Sequence, residues 1–137
     1  MSHISDHDLI ARAVSVVNAR RIGDYLVGDV GCALASESGA VYTGVCIDVT
    51  SGIGFCAEHS AIAAMVTAGE NRIAKIVAVW TDGEGAVSVL APCGRCREFM
   101  RQIQDGALRT QVILDRDEVV TLADLLPHPG RFQKLVG

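Results

Sequence analysis

Two short stretches of this sequence, FCAEHSA at residues 55–61 and APCGRCRE at residues 91–98, decide both its fold and its chemistry. Each stretch follows a loop or a strand and is predicted to begin a helix, and the first of these helices is Ala-rich and apolar on nearly all sides, as a buried helix is. A helix N-terminus presents unpaired N–H groups and the positive end of the helix dipole, which favour a thiolate over a thiol. Thiolates from two adjacent helix starts, those of Cys56, Cys93 and Cys96, are therefore predicted to close on one metal ion.

The residues around these cysteines predict a catalytic zinc site. Cys93 and Cys96 form a Cys-x-x-Cys pair, a common zinc half-site, and three protein ligands leave one position open. Glu58, two residues after Cys56, is then available as a base for a water molecule that the metal activates. Residues two apart do not share a helix face, so Cys56 must lie at the irregular first turn for these two groups to meet.

The cysteines also fit other kinds of site. A Cys-x-x-Cys pair alone also fits a zinc knuckle or a thioredoxin-like dithiol, but such a dithiol is expected after the first strand of its unit. A structural four-ligand site needs a further Cys or His near the cluster. Cys32 and Cys46 lie in predicted strands, where cysteine usually behaves as a small core hydrophobe. His59 adjoins the candidate base on its helix and is expected to point elsewhere.

The rest of the chain predicts the fold around these two helix starts. Strands that alternate with helices predict one domain, residues 1–137, with a three-layer α/β/α sandwich whose sheet is largely parallel after a first hairpin. The predicted elements are, in order, a helix over 5–20, strands over 30–35 and 41–49, a helix over 56–68, a strand over 73–80, a helix over 93–104, a strand over 111–114 and a helix over 121–126.

Composition excludes several function classes. Lys plus Arg number 12 and Asp plus Glu number 16, for a net charge of −4 without a basic cluster, so no polynucleotide partner is expected. No stretch approaches ~18 consecutive apolar residues, so no membrane span is expected. Five cysteines, an odd number, with no signal peptide at the start predict reduced thiols and a cytoplasmic location. A mean hydropathy of +0.32 predicts apolar surface buried between subunits.

The motif CAE at residues 56–58, followed by PCGRC at 92–96, closely resembles the zinc signature of the cytidine deaminase superfamily. The segments VGCAL at 30–34, GAVYTG at 39–44 and LLP at 125–127 are also similar to that family. A cysteine as first ligand resembles the homotetrameric cytidine deaminases and the blasticidin S deaminases rather than the polynucleotide editors. The resemblance implies a mixed five-stranded sheet, Zn²⁺ as the cofactor, Glu58 as the proton shuttle and a homotetramer.

Several positions depart from the family's pattern around the substrate. Typical members hold the ribose hydroxyl with an Asn-x-Glu motif on the second strand, where this chain has Cys46 and Asp48. Gly28 stands where an aromatic residue is expected beside the base. The resemblance implies that Ala57 contacts the substrate. Phe132 offers a ring near the C-terminus, for which packing is the expected role.

One more departure concerns the thiolates themselves. In typical members an arginine follows the catalytic glutamate and donates hydrogen bonds to the thiolates, and here His59 stands at that position. A protonated His59 would serve the same purpose with a pH dependence that arginine lacks. The alternative is that His59 packs against the protein or faces a neighbouring subunit.

The sequence therefore predicts a zinc-dependent hydrolytic deaminase of a small aminated heterocycle or nucleoside, either cytidine-like or blasticidin S-like. The product is a ring carbonyl with release of ammonia. One alternative is a non-catalytic, zinc-stabilised module of the same fold that binds small molecules, and the intact Glu58 argues against it. Another is a thiol redox protein, which would bind no stoichiometric zinc.

Overall fold

The structure, a computed structural model, describes residues 3–130 and 133–137, so Phe132 lies outside the described residues. The helices of the described part are α1 (Asp6–Val16), α2 (Ala57–Thr67), α3 (Gly94–Ile103) and α4 (Leu122–Leu125). Its strands are β1 (Arg20–Ile22), β2 (Tyr25–Ser36), β3 (Val41–Ile47), β4 (Ile73–Thr81), β5 (Val87–Leu90), β6 (Gln111–Asp115) and β7 (Glu118–Thr121). Within these residues, no helix combines the length and the apolar character that a membrane crossing requires.

The strands form one sheet in the order β1-β2-β4-β6-β7, with β3 also paired to β2 and β5 paired to β4. The connection from β3 through α2 to β4 passes over β2, so β3 and β4 run in the same direction and each is antiparallel to β2. In the described sheet β4 and β6 pair in parallel, whereas the other pairs are antiparallel. The expectation of a largely parallel sheet is therefore wrong, because the crossover places β4 beside β2 and not beside β3.

Helices cover both faces of the sheet. Alternate residues of β2 point to opposite faces. Cys32 and Leu34 pack in the core with α2 and α3, and Ala33 packs in the other core with α1. The predicted three-layer α/β/α fold is confirmed, and the short strands β1 and β5 extend its five-stranded core to seven strands. These two strands and β7 were not among the four strands placed from the sequence, and each has only three or four residues.

Gly44 of β3 lets α2 lie close against the sheet. A Cβ added at Gly44 would lie 2.4 Å from Ser60 Cβ and 2.5 Å from the backbone nitrogen of Ala61, so only glycine fits this contact. The Ser60 hydroxyl also donates a hydrogen bond of 2.7 Å to the Val45 carbonyl oxygen. These contacts fix the first turn of α2 on β3, and that turn carries the first of the two sequence motifs.

Candidate active site

Cys56 and Cys93 are the N-cap residues of α2 and α3. Both have extended backbone, with φ −71° and ψ 161° at Cys56 and φ −70° and ψ 170° at Cys93, and neither side chain caps its own helix. Their sulfur atoms are therefore free to turn towards the neighbouring helix. Cys56 lies at the first turn, as the sequence required for it to meet Glu58 at one site.

The three predicted sulfur ligands lie together. The distance between Cys56 Sγ and Cys93 Sγ is 3.6 Å, and that between Cys93 Sγ and Cys96 Sγ is 3.4 Å. Zinc–sulfur bonds of about 2.3 Å in a tetrahedral site separate the sulfur atoms by about 3.8 Å. The donor set and its spacing therefore fit a zinc ion. We call these cysteines, together with His59, the helix-start cluster.

The cysteines of this cluster differ in acidity. Burial opposes ionisation of Cys93, but backbone hydrogen bonds from Cys96 and Arg95 at the helix start lower its pKa below the usual thiol value. Burial raises the pKa of Cys96, and the nearby charge of Glu58 raises it further. Burial also raises the pKa of Cys56. A metal that binds all three as thiolates must therefore displace protons from the two more buried cysteines.

Glu58 lies on the first turn of α2 with only 5% of its surface exposed. Burial raises the pKa of its carboxyl group, which makes that group hold a proton more readily than an exposed glutamate. A general acid–base group works best when its pKa lies near the working pH, and the shift is in that direction. Glu58 thus has the acidity that the predicted proton shuttle needs, and its carboxyl group lies close to the Cys96 thiol.

The predicted substrate residues at the end of β3 belong to a second group of side chains. Atoms of Cys46, Asp48 and Asp29 lie within 4.8 Å of one another, and we call these residues the strand-end cluster. The Cys46 thiol donates a hydrogen bond of 3.0 Å to Asp29 Oδ1 and accepts one of 3.4 Å from the Val30 N–H group. Burial and the hydrogen bond to Asp29 raise the pKa of Cys46 from 9.0 to about 11. Cys46 is therefore a neutral thiol whose hydrogen bonds are made within the protein.

Sequence reasoning missed Asp29. It lies in β2, where the pairing with β3 shifts register between Val27 and Gly31. An irregularity of this kind leaves no periodic signal in the sequence. Only the alignment of Cys46 with the start of β2 could have suggested it.

The two clusters are neighbours. Ile47 and Phe55 exchange backbone hydrogen bonds of 3.0 and 2.9 Å. Cys46 comes directly before this bridge and Cys56 directly after it, so the antiparallel pairing places them side by side. Ala57 follows and is fully buried in the core, main chain included, so no exposed surface of this residue supports the substrate contact expected from sequence.

Gly28 excludes an aromatic residue at the position where the family pattern has one. Its φ is +78°, and an added Cβ would lie 2.3 Å from the carbonyl oxygen of Asn18. The backbone at this point therefore accepts glycine alone.

His59 points towards the sulfurs. Its Nδ1 lies 3.5 Å from Cys96 Sγ, so the expectation that it points elsewhere is wrong. The imidazole stacks on Phe99 at 4.5 Å between ring centroids, with planes 8° apart, and on Phe55 at 6.2 Å. His59 stands one turn after the N-cap of α2, on the side that faces α3, which explains this direction. Burial and the positive charge of Arg95 lower its pKa, so the protonated form considered from sequence is disfavoured.

Comparisons with known proteins identify the family of this chain. The family model described as "Cytidine and deoxycytidylate deaminase zinc-binding region" matches residues 4–111. A cytidine deaminase of Mycobacterium tuberculosis is 35% identical over 100 residues, which cover 72% of this chain and 69% of the relative. A cytidine deaminase of Sporosarcina psychrophila is 35% identical over 108 residues, covering 77% and 75%. The crystal structure of cytidine deaminase from Mycobacterium leprae superposes with a TM-score of 0.74 at 28% identity, covering 91% of this chain and 99% of that one.

Proposed function

Since the chain belongs to the cytidine and deoxycytidylate deaminase family and is a zinc-dependent aminohydrolase, we propose that Cys56, Cys93 and Cys96 are its zinc ligands and Glu58 its acid–base residue. The observation that carries this proposal is the approach of three sulfur atoms, two at helix N-caps and one on the first turn of α3, close to one buried carboxyl group. A structural zinc site has no use for such a base.

Each group has a defined part in the reaction. Zinc, when bound, supplies a Lewis acid that activates a water molecule near neutral pH. Glu58 accepts a proton from that water and delivers it to the ring nitrogen beside the carbon that carries the amine. The oxygen of that water adds to this carbon, and Glu58 passes the remaining hydroxyl proton to the amine, which leaves as ammonia while the oxygen stays on the ring as the carbonyl. The raised pKa of Glu58 supports this use of one carboxyl group in both directions.

The substrate that we propose is a cytidine-like nucleoside or a related small aminated heterocycle, such as a blasticidin S-like compound. The support for a cytosine ring is the match to relatives named cytidine deaminase. The strand-end cluster supports a ring substituent other than an ordinary ribose. The Cys46 thiol already makes its hydrogen bonds to Asp29 and Val30, so it has none to offer a ribose hydroxyl. The helix-start cluster and Glu58 are thus proposed to perform the chemical step, and the strand-end cluster to bind the ring substituent.

The deciding experiment is an ammonia-release screen on zinc-loaded protein, with cytosine, adenine, guanine and triazine compounds as substrates. We expect release from cytosine compounds and one zinc per chain by metal analysis. Zinc without release from any compound would favour the binding module instead. Release without stoichiometric metal would contradict the ligand assignment.

We also propose that the protein is a homotetramer of the cytoplasm. Large apolar side chains on its surface support assembly, among them Ile53 at 74% exposure and Ile22 at 55%. The free thiols at all five cysteines support a reducing compartment. Light scattering after gel filtration tests the assembly, and we expect a mass four times the 14.5 kDa of one chain. A monomer mass at micromolar concentration would contradict it.

A further inference from the structure

The contact between His59 and Cys96 fits two different roles. An imidazole nitrogen bound to tetrahedral zinc at about 2.0 Å would lie about 3.5 Å from each sulfur ligand. A hydrogen bond from Nδ1 to the Cys96 sulfur has a similar length, and the structure has 3.5 Å. This distance alone therefore does not choose between a fourth ligand and a hydrogen-bond donor.

The way in which the ring is held favours the donor. A ligating histidine usually donates its second ring N–H to a carboxylate, a carbonyl or water, which fixes the plane of the ring. In the part of the chain that the structure describes, His59 bonds through Nδ1 to Cys96, and stacking on Phe99 fixes the ring plane. Phe55 adds a second, more distant ring contact.

The buried base favours the donor as well. Three cysteine sulfurs already converge, and a histidine nitrogen as fourth ligand would close the tetrahedral site. A closed site leaves no position for water, and Glu58 would then be buried at a cost without a function. An open fourth position explains both the three sulfurs and the carboxyl group.

We infer that His59 is a positioning residue that donates its Nδ1 hydrogen to the Cys96 thiolate, and that stacking on Phe99 aims this hydrogen. The inference rests on the proposed assignment of Cys56, Cys93 and Cys96 as the zinc ligands. Three thiolates and Zn²⁺ sum to a charge of −1, which weakens the metal as a Lewis acid, and a donor on one sulfur withdraws part of that charge. Both the imidazolium and one neutral tautomer carry a hydrogen on Nδ1, so no change of protonation is required.

Two substitutions at this position separate the roles. His59→Asn keeps an N–H group close to the place of Nδ1, but its amide nitrogen is a poor metal ligand. His59→Leu removes the donor and keeps an apolar side chain of similar bulk. The measurements are metal content per chain, the sulfur-to-cobalt absorption band of the Co²⁺-substituted protein, and the separate values of kcat and KM.

A donor predicts one metal ion per chain in both variants. We expect the wild-type cobalt band in His59→Asn and a shift to longer wavelength in His59→Leu, with kcat lowered roughly ten- to a hundredfold and KM little changed. Loss of metal from both variants would identify His59 as a ligand and overturn the inference. A wild-type band in His59→Leu would leave a packing role alone and would overturn it too.

Phe99→Leu provides an independent measurement that keeps His59 in place. Loosening the ring should move the cobalt band in the same direction as His59→Leu, by a smaller amount, and an unchanged band would contradict the part assigned to Phe99. The band is read without turnover. A wild-type protein that binds cobalt at three sulfurs but releases no ammonia would therefore refute the proposed function and leave this inference standing.

Discussion

The helix-start cluster and the strand-end cluster lie side by side and use cysteine in opposite ways. At the helix starts, Cys56 and Cys93 carry sulfur atoms that cap nothing and face one another at 3.6 Å. At the strand end, the Cys46 thiol is held between the Asp29 carboxylate and the Val30 N–H group. The first arrangement leaves sulfur atoms free for the proposed metal, which must still displace protons from Cys56 and Cys96, and the second keeps a thiol neutral with its hydrogen bonds made inside the protein. The groups around each sulfur, and not the residue type, decide its role.

Removing one sulfur from each cluster should give the largest contrast. We expect Cys93→Ala to lose zinc, all measurable deamination and much stability, because the site also ties α2 to α3. Cys46→Ala is the matched control and should keep one zinc per chain. Metal analysis of the two purified variants and their melting temperatures make the comparison. Full zinc in Cys93→Ala would show that the ligand assignment is wrong.

The carboxyl groups offer the next contrast. Glu58→Gln should keep zinc and fold but lower kcat at least ~10²-fold, the usual minimum for a positioned acid–base group. Glu98→Gln is the control, because Glu98 lies further along α3 and accepts hydrogen bonds from Arg101 and Gln102. Steady-state rates of both variants show which carboxyl group the reaction needs. An inactive Glu98→Gln beside an active Glu58→Gln would reassign the proton shuttle.

The two clusters also differ in how much of each could be predicted from the sequence. Cys56 and Cys93 could be placed at helix starts because a helix boundary and a Cys-x-x-Cys pair are local signals. Asp29 could not be found, because it is 17 residues from Cys46 and meets it across an irregular part of the β2–β3 pairing. The direction of His59 depends on Phe99, which is a neighbour only after α3 packs against α2. Local signals thus predicted the chemistry, and contacts between distant segments set its surroundings.

The hold on the sugar should be weak. A site built to hydrogen-bond a hydroxyl gains ~10⁴-fold or more from that contact, but Cys46 has its hydrogen bonds committed and Asp48 is exposed. We expect kcat/KM for cytidine below ~10⁴ M⁻¹s⁻¹, and a loss of less than about tenfold when the 3′-hydroxyl is removed. Kinetics with cytidine, 2′-deoxycytidine, 3′-deoxycytidine and sugar-modified amines on one preparation measure both quantities.

A fast reaction with cytidine, together with a marked loss on removing the 3′-hydroxyl, would contradict this prediction. Asp48→Ala and Asp29→Asn would then locate the group that holds the sugar, since either carboxylate can accept a hydrogen bond from a hydroxyl. The zinc chemistry would be unaffected by that result. Only the conclusion that the strand-end cluster contributes little to binding the sugar would be wrong.

The smallest expected effect is the pH dependence of stability that Cys46 contributes. Its pKa is raised from 9.0 to about 11 in the folded protein by burial and the bond to Asp29, so between these values the folded state binds more protons than the unfolded state. Its contribution is therefore fully present below pH 9 and is lost as the pH rises towards 11.

Urea unfolding of the wild type and of Cys46→Ala should give free energies of unfolding whose difference is constant from pH 7 to 8.5. By pH 9.5 the wild type should lose less than about 1 kcal/mol relative to the variant, because only part of the two-unit interval has been crossed. Ionisation of the other cysteines is common to both proteins and cancels in the difference. A difference that stays flat through pH 9.5 would mean that Cys46 is not held as a neutral thiol, and the contrast between the two clusters would lose its chemical basis.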